Sequence, residues 1–158
     1  MQLPVAAILP SAKITRVGNV GVGEQTLLSI MLPPGIMKND GDVLRVTAAV
    51  QYAANVNNKT TKLYIGANTV AGRGAAPDNG ASLFIQGVGV RTNAVEAQLT
   101  GLLTTTLGNL NTTHRDSVAA LWNDPVEIRL TGEGVANNDI VSRLLKVEYL
   151  PVGSNYIS

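Results

Sequence analysis

Between residues 43 and 54 the chain reads VLRVTAAVQYAA, in which Leu44, Val46, Ala48, Val50 and Tyr52 alternate with Arg45, Thr47, Ala49 and Gln51. A period of two places the first set on one face of a β-strand and the second on the other. One face is apolar enough to be buried and the other is mixed. The run TTKLYIGA (60–67) sets Thr61, Leu63 and Ile65 against Lys62 and Tyr64. The segment between them, NVNNK (55–59), is rich in asparagine, which tolerates positive φ, so the two runs predict a hairpin.

The same period recurs in AVEAQLTGLLTTTL (94–107). There Val95, Ala97, Leu99, Gly101, Leu103 and Leu107 alternate with Glu96, Gln98, Thr100, Thr104 and Thr106, with Leu102 out of step. In PVEIRLTG (125–132), Val126, Ile128 and Leu130 point inward and Glu127, Arg129 and Thr131 outward, and Pro125 suits the first position of a strand. IVSRLLKVEYL (140–150) is apolar on both sides, at Val141, Leu145, Val147 and Tyr149 and at Ile140, Leu144 and Leu150, which predicts a strand covered on both faces. AKITRVGNV (12–20), EQTLLSIML (24–32) and ASLFIQGVGVR (81–91) read as three more strands. Gly21 and Gly23 separate the first two, and AGRGAAPDNG (71–80) reads as a long loop. One helical turn is predicted at HRDSVAALW (114–122), capped by Asp116 or Ser117, with Val118, Leu121 and Trp122 on a shared face.

About eight strands at this spacing predict an all-β chain: an antiparallel, jelly-roll-like β-sandwich with an extended N-terminal arm. The expected organisation is an arm over residues 1–11, a sandwich domain over 12–151 and a C-terminal tail over 152–158. Abundant asparagine, threonine, glycine, valine and alanine, with few lysines and glutamates, fit strands better than exposed helices. At 158 residues, one domain can bury roughly 70% of its extended-chain surface without metals or disulfides.

Twelve basic residues stand against eleven acidic ones, and charged residues make up only 15% of the chain. That leaves no electrostatic footprint for nucleic acid or an anionic membrane, so the expected partner is protein. The N-terminal MQLPVAAILPSAKI is apolar but lacks a charged leading segment, is interrupted by Pro4 and Pro10, and is too short to span a bilayer. No other window reaches the ~20 apolar residues of a membrane helix, so a soluble protein is expected.

Candidate chemistry is sparse. With no cysteine, disulfides, thiolate metal sites and thiol nucleophiles are all excluded. NDGD (39–42) could supply oxygen ligands to calcium, but the alternating acids over twelve residues and the terminal glutamate of a calcium loop are missing. A turn with Gly41 at positive φ, capped by Asp40, is the better reading. His114 is the single histidine, and THRDS (113–117) reads as a surface-loop string; the residue five after Asp116 is Leu121, where a kinase catalytic loop needs asparagine. GNVGVG and GVGV precede strands, whereas a phosphate loop precedes a helix. Glu96, Asp124, Glu127, Glu133 and Glu148 include no pair that the sequence singles out for glycoside hydrolysis. No catalytic residue, cofactor or metal site is therefore expected, and the chain reads as a non-enzyme. Few aromatics also argue against the exposed platforms of a sugar-binding sandwich.

Three motifs stand out: DGDVLR (40–45), AANVNNKTTKLY (53–64) and GEGVANNDIV (132–141). Together they resemble a pattern of small structural proteins of tailed bacteriophages, most of all the jelly-roll decoration, or cement, proteins of the capsid, with head-fibre and tail-fibre domains as relatives. The resemblance covers about half the chain. It implies a homotrimer on the outer surface of the virion, made in the host cytoplasm, that clamps neighbouring major capsid subunits. The alternative it leaves is a tail-fibre or baseplate adhesion domain that binds a host surface polysaccharide. Within the arm, Leu3, Val5, Ile8 and Leu9 have no strand partner in this reading and are the expected contacts to the major capsid protein or an adjacent subunit.

Overall fold

The computed structural model describes residues 11–108, 110–119 and 122–153, with the backbone alone at Asp116. The described residues form ten strands and no helix. They are β1 (Ser11–Lys13), β2 (Gln25–Leu32), β3 (Val43–Tyr52), β4 (Lys59–Ile65), β5 (Asn68–Ala76), β6 (Ser82–Arg91), β7 (Glu96–Thr105), β8 (Leu110–Ala119), β9 (Val126–Glu133) and β10 (Ile140–Leu150). A six-stranded sheet in the order β1-β10-β3-β6-β7-β8 faces a four-stranded sheet in the order β2-β9-β4-β5. Every pair of neighbouring strands is antiparallel.

The order follows from one nested ribbon. With the β7–β8 hairpin set aside, the outermost strands pair first (β1 with β10), then β2 with β9, β3 with β6 and β4 with β5. Rolling that ribbon brings β10 onto β3 and β9 onto β4. This is the jelly roll expected of the sequence. The β7–β8 hairpin is an addition that widens the larger sheet at one edge.

The alternating positions build the core as their period dictates. Leu44, Val46, Ala48, Val50 and Tyr52 of β3, Leu63 and Ile65 of β4, and Val126, Ile128 and Leu130 of β9 are buried between the sheets. Leu83 and Ile85 of β6 and Ala97, Leu99 and Leu103 of β7 join them. In β7, two members of the expected inward series, Val95 and Leu107, lie outside the strand and are exposed. Gly101 keeps its inward place for a steric reason. It sits opposite Gly87 in the β6–β7 pair, and a Cβ there would lie 2.5 Å from the carbonyl carbon of Val70 on β5. The two sheets approach each other over this glycine pair.

Five local expectations are corrected. First, the runs at 43–54 and 60–67 do not form a hairpin, because β3 is paired on both edges by β10 and β6, so the chain crosses at 53–58 to the other sheet. Second, residues 71–76, expected in a loop, belong to β5, which returns from β4 through a tight turn with Gly66 at φ 59. Third, the segment expected to be a helical turn lies mostly in β8, where pairing with β7 overrides a weak local capping signal. Fourth, β10 is not covered twice. A bulge between Ser142 and Leu144 switches the parity, so that Ile140 and Ser142, then Leu145 and Val147, all point into the core. Fifth, the strand expected over 12–20 is only the three residues of β1, after which the chain touches the body through isolated bridges at Gly18 and Val22.

Candidate interaction surface

Each end of the sandwich is tied by one buried aspartate. At the end where β3 begins, Asp42 takes N–H donation from Lys38, Asn39 and Val152 and a hydroxyl bond from Tyr149. Burial alone would raise its carboxyl, but these donors outweigh that and hold it below the ordinary range. Gly41 has φ 92 as the turn reading requires, but the cap is Asp42 where Asp40 was expected. Asp40 instead sits in an exposed ion pair with Arg91.

At the opposite end Asp139 accepts from the backbone N–H groups of Val135 and Ala136 and from the side chains of Asn55 and Asn57. Here too the donors overcome burial and lower the carboxyl. Asn19 bonds the backbone of Gly21, Ala136 and Ile140, and Lys59 donates to the carbonyls of Asn55 and Asn57. Three connections thus converge on the buried side chains of Asn19, Lys59 and Asp139. Their partners are backbone groups and asparagine amides of the loops themselves, which suits them to holding loops.

The outward face of the four-stranded sheet is ionic. Glu24 accepts from Lys62 at 2.8 Å, Tyr64 at 2.7 Å and Thr131 at 2.7 Å. Burial opposes ionisation, but those bonds bring the Glu24 carboxyl down to about 2. The same network explains why Thr131, expected outward, is buried. The Arg129 guanidinium lies 4.4 Å from the Tyr64 ring centroid and 3.9 Å from Glu127. An open groove of about 220 Å³ runs among Glu24, Thr26, Tyr64, Arg129 and Thr131.

The outward face of the six-stranded sheet is different. Register places Leu144, Ala49, Phe84, Thr104 and Leu110 in one row across five strands. Phe84 is 44% exposed and Leu110 66%. Neighbouring rows carry Gln86, Val88, Val90, Thr100 and Leu102, with no formal charge on the outward positions of β6 and only Glu96, its first residue, on those of β7. The other charged side chains, Arg45, Arg143, Lys146 and Glu148, stand on β3 and β10, the last two paired at 2.8 Å. A shallow groove of about 410 Å³ passes Ala49, Gln51, Phe84, Thr104, Thr106 and Arg143. Phe84 escaped notice as a surface residue in the sequence, yet its parity between inward Leu83 and Ile85 marks it as outward.

The remaining sequence candidates stay apart. His114, expected in a loop, is exposed on β8 with Nδ1 2.9 Å from the Thr100 hydroxyl. Ser117 donates to Glu96, which also accepts from Asn93, while Glu148 is held by Lys146. Among the described residues no group of three or more His, Cys, Asp or Glu side chains is placed to hold a metal ion. Leu3, Val5, Ile8 and Leu9 lie outside the described residues.

No family profile matches the chain, and no curated protein matches its sequence. Among solved structures, the CBM2 module of the evolved Dit of Lactobacillus casei BL23 phage J-1 is similar at a TM-score of 0.43 and 13% identity, over 80% of this chain and 70% of that one. A Lotus tetragonolobus seed lectin is similar at 0.44 and 7%, over 90% and 91%. Likeness at this level concerns backbone shape and carries nothing about ligand or partner to this chain.

Proposed function

We propose that this chain is a non-enzymatic virion structural protein, a decoration or cement protein that binds the outer surface of a bacteriophage head as a trimer and braces neighbouring major capsid subunits. The observation that carries the reading is what the motif residues do. DGDVLR supplies the Asp42 staple and opens β3, while GEGVANNDIV supplies the Asp139 staple and opens β10. The residues that resemble the phage pattern hold a jelly roll together, and the sparsely charged face over β6 and β7 is left to meet protein. Three modest contacts to one lattice strengthen each other through effective concentration, so no single contact has to be tight.

A protein gel and electron microscopy of purified virions test this. Many copies per particle, as density above the major capsid subunits, is the expected result; a few copies at the tail would refute it. Leu3, Val5, Ile8 and Leu9 are proposed to contact the capsid or an adjacent subunit, and deletion of residues 1–11 should then weaken shell binding. Undiminished binding would remove that assignment.

The ionic groove around Glu24, Tyr64, Arg129 and Thr131 favours a second reading, an adhesion domain for a host surface polysaccharide. Retention of the protein on a column of host polysaccharide, lost in Arg129→Ala, would support it over decoration.

A further inference from the structure

Resting on the proposed trimer, we infer that the outward face of the six-stranded sheet is the surface through which copies of this chain associate, with Phe84 at its centre. Phe84 is the single phenylalanine of the chain, and it stands 44% exposed between Ala49 and Thr104, each directly opposite it on a neighbouring strand. A half-exposed ring over a sheet leaves apolar area in water that a covering surface would remove.

The size of the face fits a subunit contact. Five strands from β10 to β8 at ~4.8 Å spacing, by about nine residues at ~3.4 Å each, span a plane of roughly 700 Å². A standard stable interface buries about 800 Å² on each partner. Charge is distributed as interfaces have it: the outward positions of β6 are uncharged, β7 carries only Glu96 at its first residue, and Arg45, Arg143, Lys146 and Glu148 lie to one side on β3 and β10.

The same distribution names the occupant. Around a threefold axis the same residues of each copy approach one another, so a surface meant for its own kind must avoid placing one sign nearest that axis. The central rows of threonine, glutamine, valine and leucine meet that condition, and the net charge of +1 adds little repulsion between whole chains. The opposite face does not meet it, since Glu24, Lys62, Glu127 and Arg129 crowd its middle.

Sedimentation of the purified full chain at micromolar concentration, with no shell present, reads the outcome. The unsubstituted chain is expected near three times its 16.5 kDa mass, and Phe84→Lys and Leu102→Glu near one chain mass with the strand circular-dichroism signal kept. Met31→Lys, on an exposed position of the other sheet, should sediment as the unsubstituted chain does. Phe84→Ser serves in place of Phe84→Lys should the latter fail to fold.

Folded Phe84 and Leu102 variants that keep the full mass would overturn the inference and move the interface elsewhere, leaving the trimer standing. An unsubstituted chain that sediments as a monomer would overturn both the inference and the trimer. In that case the decoration reading is judged separately by mixing the protein with undecorated shells. Loss of shell binding in Phe84→Lys from a monomeric parent would assign the face to the shell and equally overturn the inference.

Discussion

Replacing Gly101 with alanine adds one methyl group at the place where the two sheets come nearest. Its φ is not in the left-handed region, so the backbone accepts alanine, and a glycine lost from the unfolded chain would by itself stabilise by about 0.4–1 kcal/mol. Contact decides the sign. The new Cβ would lie 2.5 Å from the Val70 carbonyl carbon and 2.9 Å from the Ala71 Cβ, and closer still to the Val70 oxygen. Those are main-chain atoms and a Cβ, so no side chain can rotate away and the sheets must part. Overpacking of this kind costs typically 1–3 kcal/mol, and an immovable neighbour puts it at the upper end, about 3. The net loss is then about 2–3 kcal/mol. With a urea slope of about 2 kcal/mol/M for a domain of this size, the midpoint should fall by about 1–1.5 M at unchanged slope. Gly74 is the control. It lies in β5 with nothing within 4 Å of a Cβ and no positive φ, so Gly74→Ala should hold or slightly raise the midpoint. A Gly101→Ala midpoint equal to that of the parent would refute the claim that this glycine sets the spacing of the sheets.

Asp139→Ala removes the acceptor for two backbone N–H groups and two asparagine side chains, and should lower stability by about 2–3 kcal/mol, read as a fall in melting temperature of roughly 5–10 °C. Stability should also depend on acid. Glu24, Asp42 and Asp139 all have folded-state values below their unfolded ones, so their contribution is complete above the unfolded values and is lost as pH falls through the folded ones. Urea midpoints should be level from neutrality to about pH 5 and drop towards pH 2; a midpoint that rises on acidification would contradict this. His114→Ala should leave the melting temperature within about 1–2 °C of the parent, because the ring is exposed on an edge strand, where single substitutions shift stability little.

What the sequence disclosed was parity. Strict alternation at 43–52, 126–130 and 97–103 located β3, β9 and β7 and named their buried faces, because a period of two has one geometric meaning in a half-buried strand. β5 was illegible because NTVAGRGAA carries two glycines and few large apolar residues; it counts as a strand only through its pairing with β4. β8 was missed for a related reason. LNTTHRDSVA has almost no inward apolar series, and an edge strand draws its order from one neighbour. The bulge in β10 counterfeited a doubly covered strand, since a shift of one residue exchanges faces. The predicted β3–β4 hairpin failed because periodicity locates strands without pairing them. Of the candidate surface, Phe84 could be read from parity alone, whereas the Asp139 network joins residues 19, 55, 57 and 139 and exists only once the chain is folded.

The nested ribbon carries a consequence for biosynthesis. β10 is the last described strand to leave the ribosome, yet it occupies an interior place between β1 and β3. Until it arrives, a nascent chain holds β3 with one side unzipped, a long template open to strands of other nascent chains. Closing the sheet also joins segments more than a hundred residues apart, which is slow by topology. Production at high level should therefore depend on chaperones or slow translation to a degree that the finished protein's stability would not suggest.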